Sequence, residues 1–174
     1  MYIHPVKVQG IDHMSTPVIR PVEKKDNLHI AKMIRSVLEE LKLPKTGTVY
    51  EDASLDSIFE YYNVDRAAYF VVELNTKIIG GGGISQLQNY KGNVCELQKM
   101  YFLPEARGKG IGKALLKLCI TTAREFGYEK CYLETMPYME AAQKLYQQQG
   151  FEYLDGPLGD TGHFSCPVHM IKVL

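Results

Sequence analysis

No apolar run in this sequence approaches the ~20 residues needed to span a bilayer, and no positively charged start leads into the apolar block of a secretory signal. The chain is expected to be cytoplasmic. Net charge is also lacking, since 20 lysines and arginines meet 20 aspartates and glutamates. No global field then draws the protein onto nucleic acid or an anionic membrane, so neither is expected as a partner. A local phosphate site stays compatible with that balance. No C-x-x-C pair occurs among the four cysteines, Cys95, Cys119, Cys131 and Cys166. Each lies in an apolar or strand-like context, which reads as a reduced core thiol with strand-to-strand disulfides left open. Repeats and low-complexity tracts are absent too. What remains, 174 residues of 45% apolar composition, suits one compact domain and is too short for two ordinary ones.

Residues 1–13 have no clear period and precede Met14-Ser15-Thr16-Pro17, which looks like a natural start. They are expected to be either non-native residues or a disordered extension ahead of a domain spanning 14–174. Residues 18–22 read as an opening strand near a sheet edge, with Pro21 near its end. Asp26 looks like the cap of a helix in which Leu28, Ala31, Ile34, Val37, Leu38 and Leu41 recur at helical spacing until Pro44. A second helix is expected within 54–62. A hairpin of 67–74 and 77–87 turns at Asn75-Thr76, and the glycines at 80–83 suggest a twisted or bulged strand. Residues 94–102 form the next strand. The stripe Ile111, Leu115, Leu118, Thr122 and Phe126 then marks a helix ending at Gly127. A strand at 131–135, a helix at 139–149, a short strand after Gly150-Phe151, a loop at 155–162 and a final strand at 163–173 complete the order. Such alternation predicts an α/β fold, a mixed sheet covered by helices on both faces.

The densest signal is the turn between the strand at 94–102 and the helix after it, Arg107-Gly108-Lys109-Gly110-Ile111-Gly112-Lys113. Its glycines free the backbone and leave no Cβ in a ligand's way. The first N–H groups of the helix have no partner in their own ladder, and the helix dipole adds positive charge where they point. A pyrophosphate suits that environment, with Arg107, Lys109 and Lys113 supplying formal charge. The nucleoside-triphosphate loop does not fit, because Ala114 follows Gly112-Lys113 where a hydroxyl is needed and Arg107 takes the place of the first glycine. The dinucleotide fingerprint fails at its third glycine. What is left, Arg107-x-x-Gly110-x-Gly112, matches the Q/R-x-x-G-x-G/A signature of the GNAT superfamily of acyl-CoA-dependent N-acyltransferases, and residues 96–151 resemble that family. The resemblance implies a single-domain three-layer fold with a mixed sheet of about seven strands and about four helices.

Acyl transfer from a thioester to an amine needs a deprotonated nucleophile, a stabilised oxyanion and a proton for the departing thiolate. Alkyl amines with a pKa of about 10.4 arrive mostly protonated, so a base is required, directly or through water. Glu96 stands where many GNAT members place a catalytic glutamate. Strict alternation would set Glu96, Gln98, Met100 and Phe102 on one face, where apolar neighbours raise the carboxyl pKa. Glu134 is a competing carboxylate. The resemblance implies that the backbone N–H of Met100 faces the oxyanion, and that Tyr101 and Phe102 flank the pantetheine. A bulge is expected at 99–101, because the neighbouring strand at 131–135 must diverge to admit that arm. Tyr146 matches the tyrosine of the family pattern A-x-x-x-Y-x-x-x-G-F, here Ala142, Tyr146, Gly150 and Phe151, which implies an acid for the thiolate. The family commonly carries asparagine three residues before that alanine. Met139 stands there instead and could pack on pantetheine through its thioether.

His163, Cys166 and His169 invite a metal reading, yet in an extended strand the histidines face away from the cysteine, and no metal is expected. Cys95 and Cys131 have no visible partner to activate an acylated thiol. The combined expectation is an acetyl-CoA-dependent N-acetyltransferase working by direct attack, mostly through orientation of its reactants. The acceptor would be a small-molecule or peptide amine held between residues 43–56 and the loop at 155–164. Glu51, Asp52 and Asp160 there would favour a cation. A homodimer stays open, as do a longer-chain acyltransferase and a CoA-binding sensor without turnover.

Overall fold

The computed structural model describes residues 16–174 together with the backbone of Val6 and Lys7. The reading of residues 1–13 therefore lies outside the described residues, apart from the two-residue strand β1 (Val6–Lys7), which pairs with Val18 and Ile19. The elements that follow are β2 (Val18–Pro21), α1 (Asn27–Glu40), α2 (Ile58–Tyr62), β3 (Ala68–Leu74), β4 (Lys77–Gln86), β5 (Val94–Phe102), α3 (Ile111–Glu125), β6 (Lys130–Thr135), α4 (Glu140–Gln148), β7 (Glu152–Leu154) and β8 (Val168–Val173). One sheet holds all the strands in the order β1-β2-β3-β4-β5-β6-β8-β7. Its pairs are antiparallel except β5 with β6.

Period decides which side chains meet which helices. In β3, Tyr69 and Val71 point to the α1/α2 side and pack with Ile30, Ile34, Leu38 and Ile58. Phe70 and Val72 point the other way, onto Ile111, Leu115, Cys119 and Ala123 of α3. Each such fully buried aliphatic side chain contributes roughly 1.5–3 kcal/mol over an exposed one. The sheet is thus the middle of three layers. Gly127, with φ +76°, ends the chain's run through α3 as its sequence position suggests.

Two expectations change. Asp26 lies at the start of α1, but its side chain accepts the Glu23 N–H at 2.8 Å and both Arg20 terminal nitrogens, so it caps the short 3-10 turn ahead of the helix. The last strand begins at Val168, five residues later than its apolar run suggests; residues 163–167 form a loop, with Ser165 N–H donating to the Gly47 carbonyl at 3.1 Å.

The glycines of β4 make room for larger groups on both faces. A Cβ on Gly80 would collide with the Phe102 ring, and one on Gly82 would sit 3.1 Å from the Met100 side chain. On the opposite face, a Cβ on Gly83 would lie 2.5 Å from the Ala68 carbonyl and 2.7 Å from the Tyr69 ring. Gly83→Ala should therefore lower stability by roughly 1–3 kcal/mol, against a negligible change for Gly156→Ala, which has open space around it. Urea denaturation of the two variants checks this; equal midpoints would show that β4 yields freely.

Candidate active site

β5 and β6 pair only at Val94 with Lys130, Cys95 with Cys131 and Glu96 with Tyr132, and beyond Glu96 they part. On the other side of β5 the register with β4 slips between Gly81 and Gly83, leaving Lys99 and Met100 without a partner residue. Lys99 has φ +51°, a left-handed conformation that costs a non-glycine residue about 1–2 kcal/mol. The bulge falls within the expected window. It also overturns the strict alternation. Glu96, Gln98 and Lys99 all line a cavity on the α1/α2 side, whereas Met100 and Phe102 pack with α3 and α4 on the opposite one. One residue in the left-handed region resets the pleat.

At the fork lies a cavity of about 490 Å³ bounded by Met100, Tyr101, Phe102, the turn before α3, residues of α4, and Val37 and Leu41 at the end of α1. Gly108 and Gly110 have φ +71° and +75°, and a Cβ on either would meet nothing within 4 Å. Among the described residues, no backbone N–H from 108 to 113 donates to a carbonyl or side chain. These free donors at the start of a 15-residue helix fit a diphosphate. Gly112, Lys113, Met139, Ala142 and Tyr146 line the same cavity. Lys109 does not, and the Ile111 side chain is fully buried in the core, which leaves its N–H as its contribution. The Arg107 guanidinium is turned to Glu40, 2.8 Å from each carboxylate oxygen, and donates to the Phe102 carbonyl. In this arrangement it ties α1 to the turn.

Across the fork lies a second cavity of about 460 Å³, floored by Glu96, Gln98 and Lys99 and walled by Asp52, Ser54, Ser57, Tyr61, Gln88, Thr161 and His163. Both segments expected to form an acceptor pocket contribute. Glu96 is 3% exposed, and burial pushes its carboxyl up to about 7 despite the 2.7 Å hydrogen bond donated by Gln98. Gln98 is fixed in turn by the Tyr62 hydroxyl. Asp52 receives Lys99 Nζ on one oxygen at 2.6 Å and faces His163 Nε2 with the other at 3.0 Å. Burial pushes the Asp52 carboxyl up, but the His163 contact and the Lys99 charge outweigh it, and its pKa is lowered. For His163, burial pushes down and the bond to Asp52 more than offsets it, so its pKa is raised. Asp52 is therefore not free to attract a cation, as its sequence position suggested, and Glu51 and Asp160 do not line the cavity.

The metal-like trio of the sequence is taken apart. His169 stacks on Tyr132 in β8, Cys166 lines the chamber described below, and His163 comes instead to Glu96 and Glu134, their nearest ligand atoms lying within 4.8 Å of one another. Glu134 already accepts from the hydroxyls of Tyr132 and Thr161, at 2.7 and 2.8 Å. A chamber of about 50 Å³ touches Lys99, which also lines the second cavity, and Met100, Met139 and Tyr146, which also line the first, together with Glu134 and Cys166. Tyr146 is 7% exposed, and its hydroxyl bonds to nothing among the described residues; burial pushes its phenol up, so it holds its proton. Glu96 and Tyr146 thus sit on opposite sides of one fork, with Met100 at its edge.

Sequence reasoning passed over Lys99, Tyr61, Gln88 and Ser57. A lysine in the middle of a strand was the one available signal.

A family model described as the acetyltransferase (GNAT) family matches residues 34–151. The chain is 43% identical over 160 residues to the uncharacterized N-acetyltransferase YjgM of Escherichia coli, covering 91% of this chain and 96% of that one. Its fold resembles a GNAT-family acetyltransferase of Staphylococcus aureus at 22% identity, with a TM-score of 0.81 over 91% of this chain and 99% of the other. A ribosomal-protein-alanine N-acetyltransferase of Brucella melitensis gives 0.73 at 23% identity, covering 90% and 99%.

Two measurements probe the site's electrostatics. Asp52→Asn should lower the His163 pKa in an NMR titration, and an unchanged value would mean that the contact is not made in solution. Glu96 binds its proton more tightly folded than unfolded, so its ionisation removes stability as pH climbs from the ordinary 4.5 through about 7. Glu96→Gln should then gain on the order of 2–3 kcal/mol over the parent at pH 8 and little at pH 4; urea midpoints that move in parallel at both pH values would contradict it.

Proposed function

Given that the chain belongs to the GNAT family of acetyltransferases, we propose that it carries an acetyl group from acetyl-CoA to an acceptor amine by direct attack in a ternary complex. The observation that carries this reading is the fork. It sets a cavity rimmed by free N–H donors beside one floored by a carboxyl of raised pKa, and a chamber bounded by a protonated phenol shares lining residues with both. The diphosphate would rest on the N–H groups of 108–113, with Lys113 beside them, and the pantetheine would lie along residues 100–102 against Met139 and Ala142.

In the transfer, the amine nitrogen bonds to the thioester carbonyl carbon and the carbon–sulfur bond breaks. The nitrogen's proton goes to Glu96, directly or through water, and the thiolate takes a proton from Tyr146. A carboxyl with a pKa of about 7 is ionised in about half the molecules at neutral pH and holds a proton well once taken. The backbone N–H of Met100, in neither ladder's register, would face the oxyanion from a fixed position, which avoids reorganisation as charge develops. Cys166, whose thiol burial pushes up to about 11, is a poor nucleophile, which favours direct attack. A chamber of about 50 Å³, small beside the cavities of about 490 and 460 Å³, suits a two-carbon acyl group better than a long one.

Thiol release from acetyl-CoA with a panel of amines tests the proposal. The rate constant kcat/KM should rise with pH through about 7, and Glu96→Gln should flatten that rise. Tyr146→Phe should lower kcat by roughly 10²–10⁴ with acetyl-CoA affinity retained. Tight CoA binding with no amine-stimulated release would turn the reading to a sensor.

A further inference from the structure

The acceptor cavity is lined by charged groups of both signs. Glu96, with Glu134 near it, and Asp52 supply the carboxylates. Lys99 supplies an ammonium, and its side chain is 3% exposed although it lines the cavity. An ammonium has three donors. One goes to Asp52, and the remaining two meet no hydrogen-bond acceptor among the described residues, while the Tyr61 ring lies 5.4 Å away. Asp52 cannot supply more, because its second oxygen faces His163. A single carboxylate is thus shared between a lysine and a histidine, and the spare N–H groups of a buried cation are a place for an anionic acceptor atom. The Ser57 hydroxyl, on the same wall, makes no side-chain bond among the described residues either.

The cavity is also fenced. Asp160 N–H donates to the Gln88 carbonyl at 3.2 Å, and Asn89 donates to the Asp160 carbonyl at 3.0 Å, stitching the loop before β8 to the β4–β5 turn. On the other flank Ser165 donates to the carbonyls of Gly47 and Thr46, and Gln88 reaches across to the Tyr61 hydroxyl.

We infer that the acceptor is a free amino carboxylic acid, its ammonium directed at Glu96 and its carboxylate at the unused donors of Lys99. The inference rests on the acyl-transfer reading above and gives its substrate class. Neutralising Lys99 wholly by Asp52 would leave no preference for a carboxylate, so the preference is the quantity to measure.

The experiment supplies the full chain with acetyl-CoA and a panel of amino acids, each alongside its carboxamide, its decarboxylated amine and a short peptide beginning with the same residue. At least one free amino acid should exceed its decarboxylated partner in kcat/KM by about tenfold to a hundredfold. Lys99→Met should bring that ratio close to one and Lys99→Arg should restore part of it, with acetyl-CoA affinity by calorimetry unchanged in both. Equal or faster turnover of decarboxylated amines or peptides overturns the inference and leaves acyl transfer standing. Failure of every member of the panel while acetyl-CoA binds overturns both.

Discussion

Beyond Glu96 the sheet gives up its one parallel pairing, and the backbone groups released there are the ones a thioester can use. A continuous ladder would have consumed them, since buried N–H and C=O groups are almost always paired. Parting is sustained from both sides. β6 pairs with β8 along its whole length, while β5 leaves the β4 register at Lys99. The bare backbone of β4 lets Phe102, Met100 and Tyr69 press close to it, which holds β5 in place where its outer ladder is missing. Fold and site are therefore one problem: the same slip that opens the sheet sends Lys99 to one side of it and Met100 to the other.

The strain at Lys99 has an evident compensation. Its ammonium reaches Asp52, from the segment before α2, and Asp52 in turn meets His163, from the loop before β8. Three segments far apart in the chain are thus drawn together over the fork. A buried charge without such partners would be expensive, and here each ion lowers the cost of the next. Glu96 accepts a hydrogen bond from Gln98 and feels the charges of His163 and Lys99, but burial outweighs them and leaves its pKa near 7. Two carboxylates lining one cavity acquire opposite characters from their surroundings, one ionised and structural, the other able to take and release a proton.

Much of this could be read from residue order. The turn at 107–113 declares itself because glycines, a helix start and lysines coincide, and of the α1 stripe Ala31, Ile34, Val37 and Leu38 are buried while Leu28 at its start is exposed. Tyr146 was marked by its motif, and the bulge by the need for β5 and β6 to part. What could not be read is the consequence of the bulge, since period-two reasoning carries Glu96 and Met100 to one face and a single left-handed residue separates them. The start of β8 was misplaced for a similar reason: His163, Phe164, Ser165 and Cys166 look extended, but bonds from Ser165 to Thr46 and Gly47 hold them as a loop. The Asp52 to His163 contact spans 111 positions and has no local signature at all.

Backbone amide NMR of the chain titrated with acetyl-CoA tests the central point most directly. Binding through the fork predicts that the largest shifts fall on the amides of 108–113, which donate to no protein group among the described residues, and on Met100 at the bulge, with little change at Val94 or Lys130, where the pairing is intact. Shifts confined to other parts of the sheet, or no binding at all, would contradict the account.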